Sequence, residues 1–288
     1  MKAATVFQLM VPLVSLLINS DAYCPVVICP GFFLGSIDYD VGLKSVLSRR
    51  GFGLDKIYTV PIQRSDWIRV AAGLLDIPNF YTGNSLPTGL GYGWYIKKLK
   101  ESVDQAYEES GGEKVILIAH SAGGWLARAA MSDGIWCAKE GIRTNERVRC
   151  LVTIGAIQRV PEDESTCVTR GALKNTDTLF PGAYLKEDGI KYVTIGGAAV
   201  DAAASRHNFA CYKAVSGHGG LTGDGIVPLS WTQLDGARQI TLEGVFHSIH
   251  EADRWYGSDE VIDRWLPTVM EEVGIGQQAI DTSRVFDG

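Results

Sequence analysis

The segment Val115-Ile-Leu-Ile-Ala-His-Ser121-Ala-Gly-Gly-Trp125 sets one serine between an apolar, β-branched run and a stretch of helical composition. A serine in that context occupies a sharp strand-to-helix turn with its hydroxyl raised above a sheet, provided its neighbours are small enough for strand and helix to approach. Ala119, Gly123 and Gly124 meet the size requirement, alanine standing where glycine is the usual first small residue. A serine hydroxyl is a weak nucleophile at neutral pH, so such chemistry needs a base to take its proton and an acid to orient the base. In the chain order that goes with this turn, acid and then base follow the serine. Asp224, held in a tight turn by the glycines of Thr222-Gly-Asp-Gly-Ile-Val-Pro228, is the acid candidate, with Asp201 as its rival. His247, directly after Val245-Phe246, is the candidate base. His250, followed by Glu251 and Asp253, competes with it, whereas His207 and His218 precede Asp224 and break the order.

Attack on a carbonyl creates an oxyanion that two preorganised N–H groups must receive. The Ala122 backbone, next to the serine, is one candidate, and Phe32 in Cys29-Pro-Gly-Phe-Phe-Leu34 is the other, with Gly31 allowing close approach. Phe33 and Leu34 beside that turn, and the segment Trp67 to Phe80, have the apolar character of an acyl groove. Each of these features also has an ordinary structural reading: a helix N-cap serine, a Gly-Asp-Gly turn, core aromatics.

Residues so far apart in sequence meet only if a scaffold brings their loops to one edge. From Tyr23 onward short apolar runs alternate with helical patterns, the signature of a mostly parallel sheet covered by helices on both faces. Six strands are predicted, at Pro25 to Cys29, Lys56 to Val60, Val115 to Ala119, Cys150 to Ile154, Tyr192 to Ile195 and Gln239 to Leu242. A helix is predicted over Tyr95 to Glu109 and a closing helix after Pro267. Pro61 to Trp94, apolar and then glycine-rich, and Gln158 to Glu187 are long connections, both candidates for a cap-like insertion over a site, a solvated loop being an equal reading of the second.

Lys2, the apolar Ala3 to Ile18 and the small residues of Ser20-Asp21-Ala22 predict a signal or targeting peptide over 1–22, followed by one α/β domain over 23–288. Gln8 and Pro12 make the apolar run a poor membrane span. The net charge of −6, without a lysine- or arginine-rich block, argues against a nucleic-acid partner. Of the six cysteines, Cys29 and Cys150 lie in strand-like runs and read as buried thiols, while Cys167 and Cys211 lie in loop-rich sequence and read as a candidate bridge. No cysteine or histidine cluster has zinc-ligand spacing, so no metal is predicted, and the serine chemistry calls for no cofactor.

With these residues in hand, the stretch from Pro25 to Leu266 resembles the α/β-hydrolase superfamily. The segments Val27-Ile-Cys-Pro-Gly-Phe32, Ala119-His-Ser-Ala-Gly-Gly-Trp-Leu-Ala-Arg128, Pro181-Gly-Ala-Tyr184, Gly223-Asp-Gly-Ile-Val-Pro228, Leu242-Glu-Gly-Val-Phe-His-Ser248 and Trp255-Tyr-Gly-Ser258 look like a plant and algal group of lipase-like proteins. That group is described as similar to the inositol deacylases of glycosylphosphatidylinositol anchors, and the serine turn with a leading alanine is similar to that of small bacterial lipases. The resemblance implies a compact α/β-hydrolase fold and a Ser121, His247, Asp224 triad. It also implies an esterase or lipase acting on a small-molecule or lipid ester, with transient contact at a membrane surface. A thioesterase or amidase with the same triad, and a non-catalytic hydrolase-like binding protein, are the alternatives. The expected location is the secretory pathway or outside the cell. Because Ala22-Tyr-Cys-Pro25 resembles the junction in plastid proteins of secondary algae, a plastid is the second choice.

Overall fold

The computed structural model describes residues 24–132, 144–164 and 167–275. The 1–22 segment and Cys137 lie outside the described residues. Six apolar runs form one sheet in the order β2-β1-β3-β4-β5-β8, every neighbouring pair parallel. Its strands are β1 (Val26–Cys29), β2 (Ile57–Thr59), β3 (Val115–His120), β4 (Val148–Ile154), β5 (Lys191–Ala198) and β8 (Arg238–Glu243). They coincide with the six predicted strands to within three residues at each end. The central runs were legible because parallel strands covered on both faces are apolar at nearly every position, whereas the edge strand β8 buries only Leu242 fully.

Side-chain alternation along each strand divides the core in two. Val27, Cys29, Leu117, Ala119 and Leu151 point to one face, where Tyr95, Leu99 and Val103 of the Gly93–Glu109 helix and Trp125, Leu126 and Ala129 of the Ala122–Ala130 helix cover them. Val26, Ile28, Ile116, Ile118, Val152, Ile154 and Ile195 point to the other, against Tyr39, Leu43 and Leu47 and the Asp259–Glu272 helix.

The strand order reverses between β1 and β3: the chain leaves β1 for β2 on one side and returns to β3 on the other. Loops at the carboxyl ends of strands flanking such a reversal diverge and leave a crevice, the usual ligand site of an open α/β sheet. The register pairs Cys29 with Ala119, so the Pro30-Gly31 turn arrives beside His120 and Ser121.

Three features depart from the sequence reading. A two-stranded antiparallel pair, β6 (Val200–Asp201) with β7 (Thr222–Gly223), delivers Asp224. Two residues per strand are too few for any periodicity to register. The closing helix starts at Asp259 and carries Pro267 inside it. Burial of Val261, Ile262, Trp265, Leu266, Val269 and Met270 along one stripe outweighs the backbone bond that the proline forfeits, a loss of about 3 kcal/mol. Finally, Cys167 and Cys211 are not joined: the buried Cys167 sulfur lies 3.2 Å from Thr169 Oγ1, and Cys211 lies against His207. Cys29 and Cys150 are buried thiols, each held well above the ordinary thiol pKa by burial.

Candidate active site

Ser121 directly follows β3 and precedes the Ala122–Ala130 helix with φ +53° and ψ −125°. A non-glycine residue at positive φ costs on the order of 1–3 kcal/mol and persists only where its surroundings dictate it. Here the Ser121 N–H donates to the Ile154 carbonyl at 3.1 Å, and its own carbonyl accepts from the Gly124 N–H at 3.0 Å. The tightness of the turn explains the small residues: a Cβ on Gly123 would lie 2.5 Å from the Cys29 oxygen, and one on Gly124 would lie 2.3 Å from Ala156 Cβ.

His247 leaves the turn after β8, its N–H bound to the Asp224 carbonyl at 2.9 Å. Its Nδ1 lies 2.8 Å from Asp224 Oδ2 and its Nε2 lies 3.0 Å from Ser121 Oγ. A carboxylate oxygen only accepts, so Nδ1 carries the proton and Nε2 is left to receive the serine hydroxyl. Asp224 is fixed from four directions. Its Oδ1 accepts from the Ile226 and Val227 N–H groups, and its Oδ2 accepts from His247 and from the Tyr256 hydroxyl at 2.8 Å. Tyr256 receives the Gly197 N–H at 2.7 Å, so its own proton points to Asp224. Burial, together with the Asp224 charge, raises the Tyr256 phenol well above its ordinary pKa and keeps it a donor.

The rival residues stand elsewhere. Asp201 is exposed and caps a short turn through the Ala203 N–H. His250, His207 and His218 are exposed, and His218 lies 3.5 Å from Glu162. Among the described residues no three His, Cys, Asp or Glu side chains converge as metal ligands do.

The turn after β1 is closed by the Leu34 N–H donating to the Gly31 carbonyl, with Phe32 and Phe33 at its tip and Phe33 at φ +58°. A Cβ on Gly31 would lie 2.8 Å from Ser121 Cβ, so the backbone passes directly against Ser121. Neither the Phe32 nor the Ala122 N–H has an acceptor among the described residues. The Phe32 and Phe33 rings pack on each other at 4.2 Å and are largely exposed, Phe32 meeting Trp67 edge-on. Leu34 is half-buried, and its carbonyl accepts from Trp67 Nε1.

Trp67 is core, whereas Ile68, Leu74, Leu75 and Ile77 face outward. An open groove of about 430 Å³ between Asp76, Leu86, Leu90 and Trp94 lies within the insertion. A larger cleft of about 730 Å³ lies behind the His247 loop, between Asp38, Val41, His250 and Trp255, and Ser121 does not line it.

Sequence reasoning missed Tyr256, Tyr39 and His120 as parts of the site. Tyr256 fell within a quoted segment but without a role; Tyr39 carries no local signal. Gly155 and Gly197 were missed as well. Gly155, at φ +55°, lies where a Cβ would be 2.8 Å from both Asp224 Oδ2 and Tyr256 Cε2 and 3.1 Å from His247 Nδ1. Gly155→Ala is therefore expected to displace the histidine–aspartate pair and lower kcat on any substrate of this site by about 10²-fold or more, since misplacement near 1 Å is enough. Steady-state kinetics with a thermal melt check this; near-parent turnover would contradict it.

No family model matches this chain, and no curated protein matches it. Among solved structures, Bacillus licheniformis lipase BlEst2 in its mature form is 14% identical, with a TM-score of 0.51 over 88% of this chain and 93% of that one. Paleococcus ferrophilus monoacylglycerol lipase is 13% identical with a TM-score of 0.44, covering 88% of this chain and 96% of its own. Tomato methylketone synthase I is 14% identical with a TM-score of 0.39, covering 86% and 94%. The likeness to the first is one of architecture. Together with the parallel six-stranded sheet it identifies the fold as that of the α/β-hydrolases.

Proposed function

We propose that this α/β-hydrolase fold is a serine hydrolase that cleaves a lipophilic carboxylic ester through an acyl-enzyme. The observation that carries the reading is the unbroken series of hydrogen bonds from Asp224 through His247 to Ser121, on a serine held at positive φ where strand meets helix. In the reaction Ser121 Oγ passes its proton to His247 Nε2 as it bonds to the ester carbonyl carbon. The resulting oxyanion is received by the Ala122 and Phe32 N–H groups. His247 then hands the proton to the departing alcohol, and Asp224 holds the imidazolium. Water repeats the sequence on the acyl-enzyme and releases the acid.

The test is exposure of the purified protein to a fluorophosphonate followed by peptide mass spectrometry. The expected result is a single adduct on Ser121. An adduct on another serine, or none at all, would overturn the mechanism, the second outcome favouring a hydrolase-like binding protein. Esters, thioesters and amides of one acyl chain, assayed side by side, separate the esterase reading from its thioesterase and amidase alternatives.

The lipophilic part of the reading is supported by Phe32 and Phe33 beside the serine and by Ile68, Leu75, Ile77 and Leu90 exposed on the insertion, which suit transient contact with a lipid surface. Esters of long acyl chains, including inositol-linked ones, are the class to test first. A fully buried methylene contributes about 0.8 kcal/mol, close to fourfold in rate, and an open aromatic shelf captures roughly half of that. The specificity constant for p-nitrophenyl esters is therefore expected to rise about twofold per carbon from acetyl to octanoyl. A flat or falling profile would argue for a small polar ester.

A further inference from the structure

Two buried side chains with no part in the proton transfers link the two sides of the site. Tyr39 Oη lies 2.9 Å from the Gly31 nitrogen and 2.8 Å from His120 Nδ1, and His120 Nε2 lies 3.2 Å from the His247 carbonyl oxygen. Hydrogen-bond polarity settles who donates. The His247 carbonyl can only accept, so His120 Nε2 carries a proton. Burial first, and the neighbouring His247 second, hold His120 well below the usual imidazole pKa, so it is neutral and its Nδ1 accepts. Tyr39 must then donate to Nδ1, and its oxygen is free to receive the Gly31 N–H. The chain of donors runs one way, from Gly31 through Tyr39 and His120 to His247, with no group left over.

Its two ends lie on opposite sides of Ser121: Gly31 precedes Phe32 in the turn after β1, and His247 hangs from β8 at the far edge of the sheet. The His120 ring lies 4.7 Å from the His247 ring, centroid to centroid, and is backed by Trp255. From this arrangement, and resting on the serine-hydrolase reading above, we infer that Tyr39 and His120 are positioning residues that set the Phe32 N–H and the His247 imidazole in register with Ser121. Anchoring the Gly31 N–H fixes the Pro30–Gly31 peptide, one residue ahead of the peptide that carries the Phe32 N–H. Anchoring the His247 carbonyl keeps the base in place while its ring gains and loses a proton. Neither residue touches the ester.

The experiment separates the two links. Tyr39→Phe removes the hydroxyl alone. His120→Asn keeps an acceptor near the Nδ1 position but loses the donor to His247; His120→Gln does the reverse. Each change is expected to lower kcat for p-nitrophenyl butyrate by about tenfold with KM within about twofold, the pattern of an interaction that matters in the transition state. Tyr39→Phe should cost less in the His120→Gln background, where only its bond to Gly31 is left to lose, and should keep its full cost in the His120→Asn background. Nitrogen-15 NMR of the parent provides a readout that needs no variant: His120 should show a protonated Nε2 and an unprotonated Nδ1.

Folded variants that retain the parent kcat, losses confined to KM, or the opposite tautomer in the parent would each overturn the inference. A parent that is labelled by fluorophosphonate while its variants behave identically sinks the inference alone. A parent that neither labels nor hydrolyses any ester sinks the underlying reading, and the inference with it.

Discussion

Replacing Ser121 by alanine is expected to lower kcat by about 10⁴- to 10⁶-fold, the range in which loss of a triad nucleophile leaves only the contribution of binding and the oxyanion donors. The change removes one oxygen. Alanine suffers the same positive φ as serine, and both backbone bonds of residue 121, to Ile154 and Gly124, survive it. The melting temperature should therefore stay within a few degrees of the parent, with fluorophosphonate labelling lost. Turnover that survives in a folded Ser121→Ala protein, measured after contaminating esterases have been titrated out, would move the nucleophile elsewhere.

The second large effect distinguishes two histidines three positions apart. His247→Ala removes the proposed proton acceptor and is expected to lower kcat by about 10⁴-fold or more with a modest change in KM, whereas His250→Ala should stay within about tenfold of the parent. The reason is positional. His247 is nearly buried, bound at its backbone and its ring by the same aspartate and facing Ser121. His250 is exposed, on the wall of the 730 Å³ cleft opposite Asp38. A crippled His250→Ala with an active His247→Ala would reassign the base while leaving the serine in place.

How much of this could be read from the sequence depended on whether the responsible interactions were local. The central strands were legible because burial on both faces writes itself into every residue of a short run, as in Val115-Ile-Leu-Ile-Ala119. The serine turn was legible because its steric demand falls on adjacent positions. Asp224 and His247 could be picked by chain order and turn chemistry, and the structure brings both to Ser121. Tyr39 meets His120 across 81 residues, and Tyr256 meets Asp224 across 32, through one hydroxyl each; no periodicity or spacing encodes such contacts. Gly155 looked like any glycine after a strand, because its requirement comes from three side chains carried by other loops. The Cys167–Cys211 bridge failed for the converse reason: loop-rich composition says nothing about whether two sulfurs approach. Pro267 was read as a boundary because local propensity was weighed without the buried stripe on either side of it.

The ladder of the sheet continues past the ends of its strands. Ser121 donates to Ile154, Gly155 to Ile195, Gly244 to Ala198 and His247 to Asp224, so the loops that bear the reacting groups are bonded sideways to one another as strands are. Amides held in this way exchange with solvent only through rare openings, at free energies closer to global unfolding than to loop fraying. The proposed reacting groups are thus expected among the better protected parts of the molecule. Whatever breathing admits a bulky substrate falls instead to the insertion, where Ile68, Leu74, Leu75 and Ile77 already stand in solvent. Entry and chemistry are thereby assigned to regions of different stiffness, and a change that quickens one need not disturb the other.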